Sequence, residues 1–388
     1  MPWRELSPME QRLALVQEYA SGLFTMTELA AQYGISRKTG YLWVDRHTAE
    51  GAAGLQDRSR RPHTSPQVTD AALIEALVAQ RRRHPGWGAK KLLAVVKRDQ
   101  PDAAWPARST VNDALKARGL IEPRRRRARP LVPRPSPLAP ITQTNEVWTT
   151  DFKGHFRTGD GVYCYPLTLR DGFSRFVLRC DSLAGYTYDA TRARFVRAFA
   201  AYGLPVRIRS DNGAPFAGAG LGRLSRLAVW WMRLGIVPER IAPGHPEQNG
   251  SHEQFHAVLK AATARPPAAT AAAQQQRFRR FRHEYNEERP HEALADRVPA
   301  RLYQASPRSY PRTLPSLEYA GHFEVRRVYD NGCLWWRQRI LFLSEALVGQ
   351  SVGFEEVDDG VWTVYFGTVP LARFDERAHR LHHVGSDD

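Results

Sequence analysis

Residues 243–260 read PGHPEQNGSHEQFHAVLK. A Pro243-Gly244-His245 turn leads to Pro246 at the expected first position of a helix, where a missing N–H costs nothing. From there Asn249, Glu253 and Lys260 recur on roughly one helical face, while Phe255 and Leu259 point to another side and suit a core. The helix thus sets a carboxylate among an amide, histidines and an ammonium. What that polar face meets depends on the rest of the chain.

The chain has 388 residues, 42% of them hydrophobic, enough for about two to four domains with their own cores. Its formal charge of +16 calls for a polyanionic partner, and nucleic acid is the commonest. Arginine supplies 49 of the 56 basic residues, a bias that a GC-rich genome would also produce. The sequence contains no long apolar run, no charged-then-apolar leader and no lipidation motif, so the expectation is a soluble, cytoplasmic, nucleoid-associated protein with no membrane partner. Cys164, Cys180 and Cys333 are scattered, which argues against a disulfide framework or a Cys-based zinc site.

In order, residues 1–53 read as a helix-turn-helix domain. Gly34 supplies the turn and Ser36 caps the last helix. The leading residues of that helix, Arg37, Lys38, Thr39 and Tyr41, are the candidates for entering the major groove. Residues 54–67 form a basic linker whose Arg58, Arg60 and Arg61 are candidates for tracking a phosphate backbone. Residues 68–122 repeat the helical pattern as a second, winged-helix-like DNA-binding unit, with Ser109 as the expected cap of its third helix and Gly119 as its stop. Residues 123–140 are an Arg/Pro linker in which Arg124, Arg125, Arg126 and Arg127 suit DNA.

From residue 141 the composition changes. Three antiparallel strands, then helix, strand, helix, strand and the helix quoted above, is the order of an RNase H-like α/β core; with its helical extension it is expected to span 141–298. A long helix over 268–288 is broken by Tyr285-Asn-Glu-Glu-Arg289-Pro290-His291. A Pro-rich connection (299–318) precedes residues 319–388, whose alternating strands and Asp-Asn-Gly and Asp-Asp-Gly turns predict a small SH3-like β-barrel.

Three carboxylates stand out by position: Asp151 at the end of the first strand region, Asp211 at the end of the strand after the first long helix, and Glu253 on the late helix. First and fourth strands are neighbours in such a sheet, which would set Asp151 beside Asp211, with the late helix bringing Glu253. Hard oxygen ligands on rigid elements suit Mg²⁺ or Mn²⁺, and a pair of such ions ~4 Å apart can serve an in-line phosphoryl displacement.

The motifs Trp148-Thr-Thr-Asp151-Phe, Ser210-Asp211-Asn212-Gly213, His245-Pro-Glu-Gln-Asn249-Gly250 through Glu253 to Lys260, and Tyr285-Asn286-x-x-Arg289-Pro290-His291 together resemble bacterial insertion-sequence transposases of the DDE superfamily, relatives of retroviral integrases. The resemblance runs over nearly the whole chain. It implies that Asp151, Asp211 and Glu253 are the catalytic, metal-binding triad. It also implies that transposon-end DNA is cleaved and its freed 3′-hydroxyl joined to target DNA, by an assembly of two or more copies. Asn249 and Lys260 become candidate DNA contacts.

Glu247 is the competing third acid. It has 35 residues between itself and Asp211 (247 − 211 − 1), a spacing found in many relatives, whereas Glu253 has 41 (253 − 211 − 1). Glu253 is preferred because its register to Asn249 and Lys260 matches the motif, and the Gly-rich stretch 218–222 accounts for the added length. Glu247 is explained by the dipole of a first helical turn. His252-Glu253-Gln-Phe-His256 also spells the HExxH of zinc proteases, a reading that leaves Asp151, Asp211 and the positive charge without a role; these histidines are expected to contact DNA or cap local structure. His379, His382 and His383 read as a solvated tail. A transcription regulator with an inactive core is the remaining alternative, against which the three intact carboxylates argue.

Overall fold

The computed structural model describes residues 7–59, 69–121, 140–218, 221–241 and 250–383. The chain divides into two compact units, residues 1–68 and 69–388.

The first unit holds α1 (Pro8–Ala20), α2 (Met26–Gln32) and α3 (Arg37–Glu50). Ser7 with Glu10 and Thr25 with Glu28 form reciprocal capping boxes, and the Ser36 hydroxyl accepts from Thr39 N–H. Gly34 takes φ +66° between α2 and α3, a conformation glycine adopts without steric cost. At Gly40 a β-carbon would lie 2.3 Å from the Met26 sulfur, so this glycine lets α3 close on α2. Leu15, Val16 and Leu55 centre the core. Gly54 and Leu55, read as the start of the linker, instead belong to this packing. Leu55 is fully buried, and Arg12 Nη1 donates to its carbonyl at 2.8 Å.

The second unit opens with α4 (Ala71–Arg83), α5 (Ala89–Asp99) and α6 (Arg108–Ala117), packed through Leu77, Trp87, Leu92 and Val111. No strand accompanies them within residues 69–121, so no wing is seen there. The cap of α6 is Ala107, which leaves Ser109 inside the helix, and Gly119 ends the segment at φ +67°. This trio docks on residues 284–292. His84 Nδ1 meets Glu284 at 3.0 Å, Arg83 meets Glu288 at 3.0 Å and Lys90 meets Glu292 at 2.9 Å.

The central sheet comprises β1 (Val147–Phe152), β2 (Phe156–Arg157), β3 (Tyr163–Asp171), β4 (Val177–Leu183), β5 (Arg207–Ser210) and β6 (Val237–Arg240). Its order is β2-β3-β1-β5-β6, with β4 also on β3. β1 runs antiparallel to β3 but parallel to β5, which runs parallel to β6. Helices α7 (Tyr188–Tyr202) and α8 (Arg226–Arg233) make the crossovers to β5 and β6. Strand alternation sorts the two faces. Trp148, Leu167 and Leu169 pack with Phe195, Phe199 and Trp231 of α7 and α8. The opposite face carries Thr149, Thr168 and Arg170, together with Val177 and Cys180 of β4, and receives α9 (Gly250–Thr263) and α10 (Ala271–His283) through Phe255, Leu259 and Phe278. The expected continuation of α10 is a π-helical turn, Glu284–Glu288.

The C-terminal strands are β7 (Glu324–Arg327), β8 (Cys333–Trp336), β9 (Arg339–Phe342), β10 (Ser351–Asp358), β11 (Val361–Phe366), β12 (Val369–Asp375) and β13 (Arg380–His383). They do not close into the expected barrel. Five form an antiparallel sheet, β13-β12-β11-β10-β7, and β8-β9 is a separate ribbon. Closure is not needed to bury the inner face, because Trp336 and Leu341 of the ribbon and Ala228 and Val229 of α8 complete its core. His382 and His383 are not a loose tail: they lie in β13, opposite Arg373 and Ala372.

Candidate active site

The parallel register pairs Thr149 with Arg209. Asp151 and Asp211 each lie two residues farther on, one full pleat repeat, so both carboxylates point to the α9 face at the same end of the sheet. Asp211 sits just past β5. Asn212 Nδ2 ties that loop to the Ile241 carbonyl at 2.9 Å. A β-carbon at Gly213 would stand 3.0 Å from Asp211 Oδ2, so glycine keeps the carboxylate uncrowded.

Electrostatically the pair is under stress. Burial first, then the neighbouring charge of Asp211, with a smaller contribution from Glu253, pushes the Asp151 carboxyl up to about 7. Burial also raises Asp211. One of its oxygens, Oδ1, is buried with no hydrogen-bond partner. Glu253 lies in the first turn of α9 with its side chain exposed. Among the described residues no group of three or more His, Cys, Asp or Glu is drawn together as a metal cluster. The chemistry of the pair nevertheless fits a cation: two half-buried acids repel each other, and one carries an unmet lone pair that Mg²⁺, a hard oxygen-seeking ion, would satisfy.

The two histidines of the HExxH pattern point inward, onto the sheet. His252 and His256 are 0% and 2% exposed, wedged between α9 and the sheet. Their Nε2 atoms converge on Thr168 Oγ1 at 2.7 and 2.8 Å, and His252 Nδ1 meets Thr149 Oγ1 at 2.8 Å. Thr168 Oγ1 in turn donates to the Asp151 carbonyl at 3.0 Å, and His256 Nδ1 stands 3.5 Å from Asp151 Oδ2. Burial drives His252 well below its usual range and His256 to about 3, so both are neutral near pH 7. The pair therefore anchors α9 to β1 and β3 beside Asp151. Neither Thr149 nor Thr168 was legible as a site residue. The available signal was a polar residue at every second place in an otherwise apolar strand.

The remaining motif is also structural. Asn286, in the π turn, clamps β4 by accepting from Val177 N–H at 2.8 Å and donating to its carbonyl at 3.0 Å. Tyr285 packs edge-on against Phe255 of α9, with ring centroids 5.1 Å apart.

Of the other expected contacts, Arg37, Lys38 and Tyr41 are exposed on α3, whereas Thr39 is half-buried and its hydroxyl lies 2.9 Å from Ser36 Oγ. Arg58 is ion-paired with Glu50. Lys260 is exposed in the last turn of α9. Asn249, Arg60, Arg61, Arg124, Arg125, Arg126 and Arg127 lie outside the described residues, as does Glu247.

With this geometry in place, residues 141–246 and 234–299 match integrase core domain families. The chain carries an integrase core. Residues 11–63 match a helix-turn-helix domain family, and residues 39–115 a homeodomain-like one. The chain is a homologue of the insertion element IS407 uncharacterized 31.7 kDa protein of Burkholderia multivorans, 28% identical over 236 residues that cover 60% of this chain and 80% of that one. Solved structures similar to it include the HTLV-2 integrase catalytic core domain in complex with magnesium (16% identity, 42% of this chain and 98% of that chain, TM-score 0.31). Another is the simian T-cell lymphotropic virus intasome in complex with PP2A regulatory subunit B56 gamma (15% identity, 76% of this chain and 97% of that chain, TM-score 0.35).

Proposed function

We infer that the chain is a transposase: it binds transposon-end DNA through its helix-turn-helix domains and catalyses metal-dependent strand cleavage and strand transfer into target DNA. The carrying observation is the half-buried Asp151–Asp211 pair at the same end of two neighbouring parallel strands, with Asp151 pushed up to about 7 and one Asp211 oxygen buried and unpartnered. Asp151, Asp211 and Glu253 are assigned as the residues that hold Mg²⁺ or Mn²⁺. When bound, the cations would supply Lewis-acid stabilisation to the oxygens that enter and leave phosphorus.

The chain's own residues do the positioning. β1 and β5 fix two carboxylates side by side, and α9, pinned by His252 and His256 to Thr149 and Thr168, carries Glu253 toward them. Strand transfer is a transesterification: the 3′-hydroxyl oxygen forms a bond to phosphorus as another P–O bond breaks, so no external energy source is needed. Two DNA ends have to be held together, which is the reason for proposing a homo-oligomer, and a DNA substrate places the protein at the nucleoid.

The test is strand transfer with purified protein, transposon-end duplex and Mg²⁺. Asp211→Asn is expected to lower the rate by roughly 10²–10³-fold, on the order of the loss when one principal electrostatic stabiliser is removed. Joining at the wild-type rate would sink the assignment.

A further inference from the structure

Two residues farther along β3 from the carboxylate level, the same sheet face turns positive. Arg170 is 2% exposed, and no carboxylate among the described residues lies within ion-pair distance of it. Its Nη1 and Nη2 donate to the Ser251 carbonyl and hydroxyl at 3.1 and 2.6 Å, both neutral acceptors. Its Nε is buried without a partner. The adjacent Asp171 does not neutralise it. That carboxylate points to the other face and is occupied by Asn145 N–H, Ser174 N–H and the Ser174 hydroxyl.

Across the sheet Arg209, 8% exposed, pairs with Glu239 through Nε at 2.5 Å, but its Nη2 is likewise buried and unpartnered. Both arginines line one cleft of about 550 Å³, which Arg175 and Arg297 also line and, among the described residues, no acid does. An adjoining cleft of about 400 Å³ shares Arg170 and Arg175 and adds Lys91, Arg289, His291 and one acid, Glu292, which pairs with Lys90 at 2.9 Å. Burial, then the charge of Arg289, pulls the Lys91 ammonium below its usual range. Leaving buried guanidinium N–H groups unmet costs several times what a surface ion pair contributes, and a fully desolvated cation without a counter-charge costs more. The Tyr285 hydroxyl also lies against Arg170, but among the described residues no anion meets Arg170 Nε or Arg209 Nη2.

We propose that this cleft is a docking site for backbone phosphates of DNA, held by Arg170 and Arg209 from within and by Arg175 and Arg297 at the rim. The proposal rests on the reading of the chain as a DNA-joining enzyme and specifies where, outside the carboxylate pair, the strand is gripped. Arginine forks match phosphate oxygens bidentately. Arg170 lies two residues along β3 from Thr168, the residue opposite Asp151. At ~3.4 Å per residue that is roughly 7 Å, or about two nucleotides of rise along a strand. A phosphate there fixes the strand next to the reacting bond.

The experiment uses the full-length chain in EDTA, so that binding is read without catalysis. Anisotropy of a fluorescent transposon-end duplex is followed across salt concentrations for wild type, Arg170→Gln and the double variant Arg175→Gln/Arg297→Gln. Removing each phosphate-binding side chain should flatten the slope of log K against log salt by about one and weaken binding several-fold. The rim double variant keeps the test alive if Arg170→Gln fails to fold, which melting will show. In parallel, thermal stabilisation by pyrophosphate at matched ionic strength is compared. Unchanged duplex affinity and slope in the folded rim variant overturns the proposal. Unchanged duplex binding with loss of pyrophosphate stabilisation also overturns it, and assigns the cleft to a free small anion. If wild type fails to join strands while the variants still bind duplex more weakly, the catalytic reading falls and the docking site stands.

Discussion

One sheet face of the core holds two opposite electrostatic regions. At the level of Asp151 and Asp211 the charged groups are half-buried acids, and one oxygen is buried with no partner. At the level of Thr149, Arg170 and Arg209 they are guanidiniums, and two nitrogens have none. The two regions do not neutralise each other, because hydroxyl and imidazole groups stand between them: Thr149, Thr168, His252 and His256 direct their hydrogen bonds at one another. Each region keeps at least one charged group with an unpartnered buried atom, which is the basis for proposing ligands of both signs. Cations suit one region and phosphate the other.

Carboxylate and arginine substitutions should therefore fail differently. The largest effect is expected from the acids: Asp211→Asn or Glu253→Gln should lower Mg²⁺-dependent joining by roughly 10²–10³-fold, with duplex affinity in EDTA unchanged. Glu247→Gln should join normally, and if it is the dead variant instead, the third acid has been misassigned. The arginine variants should show the reverse, with weakened duplex affinity leading.

The polar layer between the regions can be broken on its own. Thr168→Val removes the oxygen on which both histidines converge and leaves buried imidazole nitrogens unsatisfied, at roughly 1–3 kcal/mol each. A lowered Tm in thermal denaturation, with slower joining because α9 is no longer pinned beside Asp151, is the expected outcome; an unchanged Tm would show that the histidines find other partners.

The smallest effect is one of pH. Asp151 has its folded-state carboxyl raised from 3.8 to about 7. Between those values the folded chain binds more protons than the unfolded one, so its contribution to stability is present at low pH and declines as pH rises through that window, levelling above about 7. Without metal, Asp151→Asn should flatten that decline. With Mg²⁺ the trend should reverse, since the ion favours the ionised acid. Melting curves from pH 4 to 8, with and without Mg²⁺, read both.

Much of the core was legible because its signals are local. The order of strands and helices, the Ser36 cap, and Phe255 and Leu259 as the buried side of α9 follow from periodicity and cap chemistry. The adjacency of Asp151 and Asp211 followed from strand order. Other features were illegible for a physical reason. HExxH looks the same whether its histidines point outward or inward, and only the burial of that face against Thr149 and Thr168 decides. The C-terminal strands alternate as barrel strands do, but α8 and the β8-β9 ribbon cover the inner face, so the sheet stays open. The last histidines read as a tail because β13 is a short edge strand whose pairing with β12 is non-local.

By itself, the sequence determined the helix-turn-helix units, the mixed core and the neighbouring positions of Asp151 and Asp211, since each is written in spacing along the chain. Tertiary structure alone decided the histidine wedge, the open C-terminal sheet and the arginine cleft. Those depend on which face of a strand or helix is covered and by what, and on whether a buried charge meets its opposite, which is settled only when residues distant in sequence pack together.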